Sequence, residues 1–333
     1  MIRWGVAGTG AISRQIVADF AHIGEADIVA VSSRRAAGAA AFGREFGILR
    51  EYDDYQKMLD SPLDAVYIGT PHVTHFAMAR EALIRGIHVL CEKPLGMNAA
   101  EVRELSSLAR ASGAFLMEAM WMKFNPLMGA VSEVISSGEV GEVRSLRASF
   151  GAPFPRDDSS RWKPGGSTLL DQGIYPVTLS HMLFGVPERV QAEGTVRSDG
   201  VDLRGHFTLE YAGGRFTHGA SSMVEFLDTS AAVCGDRGWI SIEPGFWFAT
   251  TFTVHTYTSS GPQSRVVRVA REGNGYVPML RSVTRAIQRG DQEHEVHTLG
   301  DTAEIFDTMD VIRERLESPP RPLTPQARVI RDR

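Results

Sequence analysis

Cysteine is nearly absent from this chain of 333 residues, with Cys91 and Cys234 the only two. Two thiols cannot build a disulfide framework or a four-cysteine zinc site, so each is expected to be a small residue of the core. An excess of one charge is lacking too. Lys and Arg number 35 against 40 Asp and Glu, a net charge of −5, and neither sign forms a long run. That excludes a general nucleic-acid binder or a protein of anionic membrane surfaces. Hydrophobic residues make up 43% of the chain, yet no apolar run approaches the ~20 residues of a membrane span. Met1-Ile2-Arg3-Trp4-Gly5 leads straight into apolar sequence without a leader-like pattern, so a cytoplasmic protein is expected. What remains is a globular chain long enough for two domains.

The first third alternates two periods. Apolar runs at 2–7, 28–33, 65–69 and 87–91 each precede a stretch of helical spacing, at 11–23, 37–46, 74–84 and 99–111, and a last run covers 115–117. Strands separated by helices predict right-handed parallel crossovers and a doubly wound sheet. After Met120 the pattern changes. A helix is expected over 126–136, a strand over 143–150, a loop rich in Pro, Arg, Asp and Gly over 151–166, and one helix over 169–184. Strand then follows strand from 190 to 269, before two closing helices at 277–288 and 302–316. The fold class is therefore α/β: an N-terminal doubly wound parallel sheet of the Rossmann type over 1–120, and a C-terminal α+β domain with a large, mainly antiparallel open sheet over 121–333. The tail Ser318-Pro319-Pro320-Arg321-Pro322 is expected to be irregular. A sheet with so few helices leaves one face uncovered, which predicts a homodimer or higher homo-oligomer.

Gly8-Thr9-Gly10-Ala11-Ile12-Ser13 stands between the first strand and the first helix. Glycines there allow a tight turn and close approach of backbone to a pyrophosphate seated on the helix amides, around Gly8, Gly10, Ala11 and Ile12. Ser13 replaces the third glycine of the usual pattern. At the end of the second strand an NAD site expects an acidic residue. Ser33, Arg34 and Arg35 stand there instead, a hydroxyl and two guanidiniums suited to a 2′-phosphate, so NADP is the expected cofactor with NAD as the other candidate. Two further strand ends point to the same sheet edge. Thr70-Pro71 with His75 follows the third major strand and Glu92-Lys93-Pro94 the fourth, where nicotinamide and substrate would meet.

Taken with Gly165-Gly166 leading to Asp171-Gln172-Gly173-Ile174-Tyr175, these motifs resemble the glucose-fructose oxidoreductase/inositol dehydrogenase (Gfo/Idh/MocA) family over essentially the whole chain. The stretch from Glu118 to Pro126 looks most like its dimeric dihydrodiol dehydrogenase branch. The resemblance implies catalytic roles for Lys93, Asp171 and Tyr175, the last standing where other members carry His. Asp171 and Tyr175, four apart, would share one helix face. His75, Trp121, Phe150, Phe154, Trp162 and Tyr175 are candidates to wall a pocket for a ring that is apolar on its faces and polar on its edges. Arg156 and Arg161 read as exposed loop residues, and His294 and His297 as a solvated linker, so no metal is expected. The function expected is an NADP-dependent oxidoreductase moving a hydride between nicotinamide and a secondary alcohol or carbonyl of a sugar, polyol or cyclic trans-diol. The alternative is a non-catalytic dinucleotide- or sugar-sensing protein of the same fold.

Overall fold

The computed structural model describes residues 1–317, so the tail at 318–322 lies outside the described residues. The first sheet is built from β1 (Ile2–Ala7), β2 (Ala26–Ser32), β3 (Arg50–Tyr52), β4 (Ala65–Ile68), β5 (His88–Cys91) and β6 (Leu116–Glu118). Their order is β3-β2-β1-β4-β5-β6, and every pairing is parallel. The connecting helices are α1 (Ala11–Phe20), α2 (Ala36–Phe46), α3 (Tyr55–Leu59), α4 (His75–Ile84) and α5 (Ala99–Ser112). β4 is buried at all four residues, which is why it reads as one apolar run. The strand order reverses between β1 and β4, and ligands of open α/β sheets bind at that point, outside the carboxyl ends of the strands. β3 and α3 were not expected. β3 is Arg-Glu-Tyr on the sheet edge, too short and polar to leave a periodic signal.

After α6 (Pro126–Ser136) and β7 (Val143–Gly151) the chain enters the second layer: α7 (Ile174–Phe184), then β8 (Arg189–Val196), β9 (Asp202–Tyr211), β10 (Arg215–Ser222), β11 (Ala231–Gly235), β12 (Gly238–Ile242), β13 (Thr251–Thr258) and β14 (Gly261–Arg268). The eight strands run in the order β14-β13-β12-β11-β7-β10-β9-β8, with β7 and β10 the parallel pair. Alternation decides its two faces. Leu146, Ala148, Val233, Ile240, Phe252 and Val254 are buried beneath the helical layer, while their neighbours Arg147, Cys234, Trp239, Ser241, Thr253 and His255 look outward, half-buried or exposed. Cys91 is buried as expected, but Cys234 is not a core residue because its register puts it on that open face.

The helix expected over 169–184 is in fact a π-helical turn, Leu169–Gly173, running into α7. Ile174 to Ser180 are all buried, so α7 is apolar around its circumference rather than on one stripe. The chain then returns to the first sheet. α8 (Val277–Arg289) packs on α1, and α9 (Leu299–Glu317) packs on α5 and on β8. Asp19 on α1, 1% exposed, accepts from the main-chain N–H groups of Asn274 and Tyr276 at 2.7 and 2.9 Å, tying this return to the first helix. Among the described residues no helix is long and apolar enough to cross a membrane.

Candidate active site

The crevice between β1 and β4 is shaped by backbone. Gly8 has φ of 101°, and a Cβ there would lie 2.6 Å from the Gly69 carbonyl oxygen, so only glycine keeps the two strand ends this close. Ser13 is fully buried and its hydroxyl donates to the same carbonyl at 3.4 Å, doing with a hydrogen bond what the missing third glycine would do by packing. α1 starts at Gly10 with no side-chain cap, which leaves its first amides for an anion. Across the crevice the Thr9 hydroxyl donates to Ser33 at 3.3 Å. The side chains of Arg34 and Arg35 are exposed and make no hydrogen bond or ion pair to any described residue. An uncapped helix, a glycine cradle and two unpaired guanidiniums fit a dinucleotide carrying an extra phosphate.

Beside the crevice, at the end of β5, a second cluster forms around Asp171 in the π-helical turn. Lys93 Nζ donates to Asp171 Oδ1 at 2.7 Å and to its main-chain oxygen at 2.8 Å. Arg161 Nε donates to Oδ2 at 2.8 Å, and His72 Nε2 stands 3.8 Å from Oδ1. Burial pushes the Asp171 carboxyl up, but Lys93, His72 and Arg161 together outweigh it and hold the group well below the usual carboxylate range. Burial brings His72 down to about 3, so its imidazole is neutral and able to accept as well as donate. One helical turn on, the Tyr175 ring lies 5.3 Å below Lys93 Nζ, and its oxygen accepts from the Trp121 indole N–H at 2.9 Å. Phe150 stacks on Trp247 at 3.7 Å, and the two rings stand 5.8 and 5.7 Å from Tyr175.

The turn that carries Lys93 is fastened from below. The His75 ring nitrogens meet the carbonyls of Pro94 and Thr70 at 2.7 and 2.8 Å. Glu118 accepts from the Leu95 N–H at 2.9 Å and meets His297 Nε2 at 3.0 Å, with neither side chain exposed. Glu92 turns inward to the Tyr67 hydroxyl at 3.0 Å, where burial pushes its carboxyl up to about 7 against the opposing pull of Lys93.

Residues 2–120 match the model of an oxidoreductase family with an NAD-binding Rossmann fold, and residues 128–241 match the Gfo/Idh/MocA C-terminal domain. The chain belongs to the Gfo/Idh/MocA oxidoreductase family. It is 32% identical to the trans-1,2-dihydrobenzene-1,2-diol dehydrogenase of Mus musculus over 95% of this chain and 97% of that one. The Xenopus laevis protein of the same name is 33% identical over 94% and 98%. Among solved structures, a 3-ketoreductase from Actinomadura kijaniata in complex with NADP and TDP-benzene is 25% identical, with a TM-score of 0.83 over 95% and 98% of the two chains. An aldose-aldose oxidoreductase from Caulobacter crescentus shares the fold at 21% identity and a TM-score of 0.84, over 94% and 97%.

In this Gfo/Idh/MocA chain the structure brings Lys93, Asp171, Tyr175, Trp121 and Phe150 together, and sets Gly8, Gly10, Ala11, Ile12, Ser33, Arg34, Arg35, Thr70 and Pro71 along the crevice. The remaining candidates are placed as follows. His75 is fully buried with both ring nitrogens engaged by the carbonyls of Pro94 and Thr70, so it braces the two strand-end loops. His72, three residues earlier, faces Asp171 in its place. Glu92 presents its carboxyl to the interior, toward the Tyr67 hydroxyl. Trp162 is half-buried on the loop, its indole donating to the Pro155 carbonyl at 2.8 Å. Arg161 is an exposed loop residue as expected, and it is also a partner of Asp171. His294 and His297 are buried at 4% and 1% exposure, not solvated, because α9 folds back over β6. His72, Trp247 and Glu118 were not among the candidate site residues, yet they stand in or beneath this cluster. The sequence signal closest to them was the aromatic run Phe246-Trp247-Phe248.

Proposed function

We propose that the protein is an NADP(H)-dependent oxidoreductase that interconverts a secondary alcohol and its carbonyl on a sugar, polyol or cyclic trans-diol. The observation that carries this reading is the Lys93–Asp171 clamp with Tyr175 beside it, at the end of β5 and next to the dinucleotide crevice. Gly8, Gly10, Ala11 and Ile12 would hold the pyrophosphate, Ser33, Arg34 and Arg35 the 2′-phosphate, and Thr70, Pro71 and the Glu92–Lys93 backbone the nicotinamide end. The NADP bound in the Actinomadura ketoreductase supports that choice. When bound, the dinucleotide would supply or accept the hydride. An ammonium has three donors. Asp171 takes two from Lys93, which leaves one for the substrate oxygen. Tyr175 gives its proton to that oxygen in reduction and takes it back in oxidation. Phe150 and Trp247 form an aromatic wall for the substrate ring, and His72 and Arg161 offer polar contacts at its edge. The protein works in the cytoplasm as a homodimer joined through the open face of its second sheet.

A panel of trans-1,2-dihydrobenzene-1,2-diol, aldoses and polyols, followed by nicotinamide absorbance with both cofactors, tests the reading. Turnover with NADP⁺ is expected, with Lys93→Met and Tyr175→Phe each lowering kcat by ~10²–10⁴-fold at little cost in dinucleotide affinity. Dinucleotide binding without turnover of any member would favour the sensing alternative.

A further inference from the structure

Trp121 lies in the short turn between β6 and α6, where its indole nitrogen is 2.9 Å from the Tyr175 oxygen. Both side chains are buried, at 8% and 4% exposure. An indole N–H donates and cannot accept. The direction of the bond is therefore set: the phenol oxygen accepts, and the phenol hydrogen has to find another acceptor. Among the described residues none is within hydrogen-bonding range of it.

The indole is itself held in place. Its ring packs on Tyr276 with centroids 4.4 Å apart, and a Cβ at Gly275 would lie 3.0 Å from it. Tyr276 in turn donates its main-chain N–H to Asp19 at 2.9 Å and its hydroxyl to Gln15 at 3.4 Å, both on α1, the helix of the dinucleotide crevice. The charged and titratable groups around Tyr175 are Glu92, Asp171, Glu118, Lys93 and Tyr276. Burial, followed by Glu92, pushes the phenol well up, and the Trp121 N–H is the hydrogen bond that works against them.

We propose that Trp121 is a positioning residue of the reaction, donating to Tyr175 so that the phenol proton is committed to the substrate and the oxygen left behind is stabilised. This rests on the role given to Tyr175 above. In reduction the phenol O–H bond breaks as the O–H bond of the product alcohol forms, while the carbonyl carbon gains its C–H bond from the reduced dinucleotide. Negative charge passes from the substrate oxygen to Tyr175, where the indole N–H meets it. Oxidation returns the proton by the same route.

Trp121→Phe keeps a flat ring against Tyr276 and deletes the N–H together with part of the bicyclic ring, so the comparison with Tyr175→Phe isolates the hydrogen bond. The chain has five tryptophans, so five indole N–H signals are expected in a ¹⁵N-edited NMR spectrum, and the one lost in Trp121→Phe identifies itself. In Tyr175→Phe that signal should move upfield as its acceptor disappears, with no substrate or cofactor needed. On the trans-diol or aldose that the panel selects, Trp121→Phe should lower kcat roughly 10- to 100-fold, the worth of a hydrogen bond to a charged group, with KM within about threefold. The pH limb belonging to the phenol should move to higher pH. In the Tyr175→Phe background the same substitution should cost nothing more. An indole signal indifferent to Tyr175→Phe, or an equal loss in both backgrounds, would overturn the proposal while leaving the role of Tyr175 intact. Full turnover by Tyr175→Phe alone would remove both.

Discussion

Asp171→Asn removes one negative charge from beneath Lys93, Arg161 and His72 and changes almost no volume. The pair it breaks is largely dry, with side-chain exposures of 10% for Asp171 and 13% for Lys93. Removing one partner of a buried pair costs ~3–5 kcal/mol when nothing replaces it. Here the asparagine oxygen still accepts, the main-chain oxygen stays, and Arg161 at 45% exposure recovers water. A loss of roughly 2–3 kcal/mol at neutral pH follows, which lowers Tm by about 3–4 °C for a chain of this size. Because the Asp171 carboxyl is held below its unfolded value of 3.8, its contribution to stability is present above that value and is lost as pH falls below it. Denaturant melts of both proteins from about pH 8 down to about pH 4 should show a constant gap that begins to narrow only at the acid end. Lys93 keeps both acceptors but loses the charge that holds it tightly, so kcat should fall as well, by roughly 10- to 100-fold. Equal stability at neutral pH, or a gap that widens on acidification, would refute the clamp.

Arg34→Ala should weaken NADP(H) binding roughly tenfold, as expected for an exposed charge-assisted contact, and leave NAD(H) binding unchanged in a fluorescence titration. The Glu92 carboxyl, raised by burial from 4.5 to about 7, contributes stability below its unfolded value that is lost as pH rises through about 7. Glu92→Gln should therefore gain about 3 kcal/mol relative to the parent between about pH 4 and pH 8, and a parallel pair of stability profiles would contradict this. Trp239, stacked on His255 at 4.3 Å on the open sheet face, gives a test of assembly. Light scattering should find a dimer at micromolar concentration and a monomer for Trp239→Glu, and a monomeric parent would remove the dimer.

The parallel sheet was legible in the sequence because each of its signals is local. An apolar run followed by helical spacing needs no distant residue to be recognised, and Gly8-Thr9-Gly10, Arg34-Arg35 and Glu92-Lys93-Pro94 announce their chemistry within a few positions. The three-residue β3 carried no such signal, and the π-helical turn at Asp171 has the same composition as the helix expected there. Beyond that, the sequence determined which residues could act but not which way they point. His72 and His75 stand three apart in one segment. Only the packing of α4 against the turn after β5 sends His75 into the interior and leaves His72 facing Asp171. Arg161 became a partner of Asp171 because the loop from 151 to 166 folds back, and Trp121 became a donor to Tyr175 because the segment before α8 returns to α1 and presses Tyr276 against it. Those contacts join positions 10, 54 and 155 residues apart. Their geometry comes from long-range packing, in which each side chain takes the orientation its distant neighbours leave open.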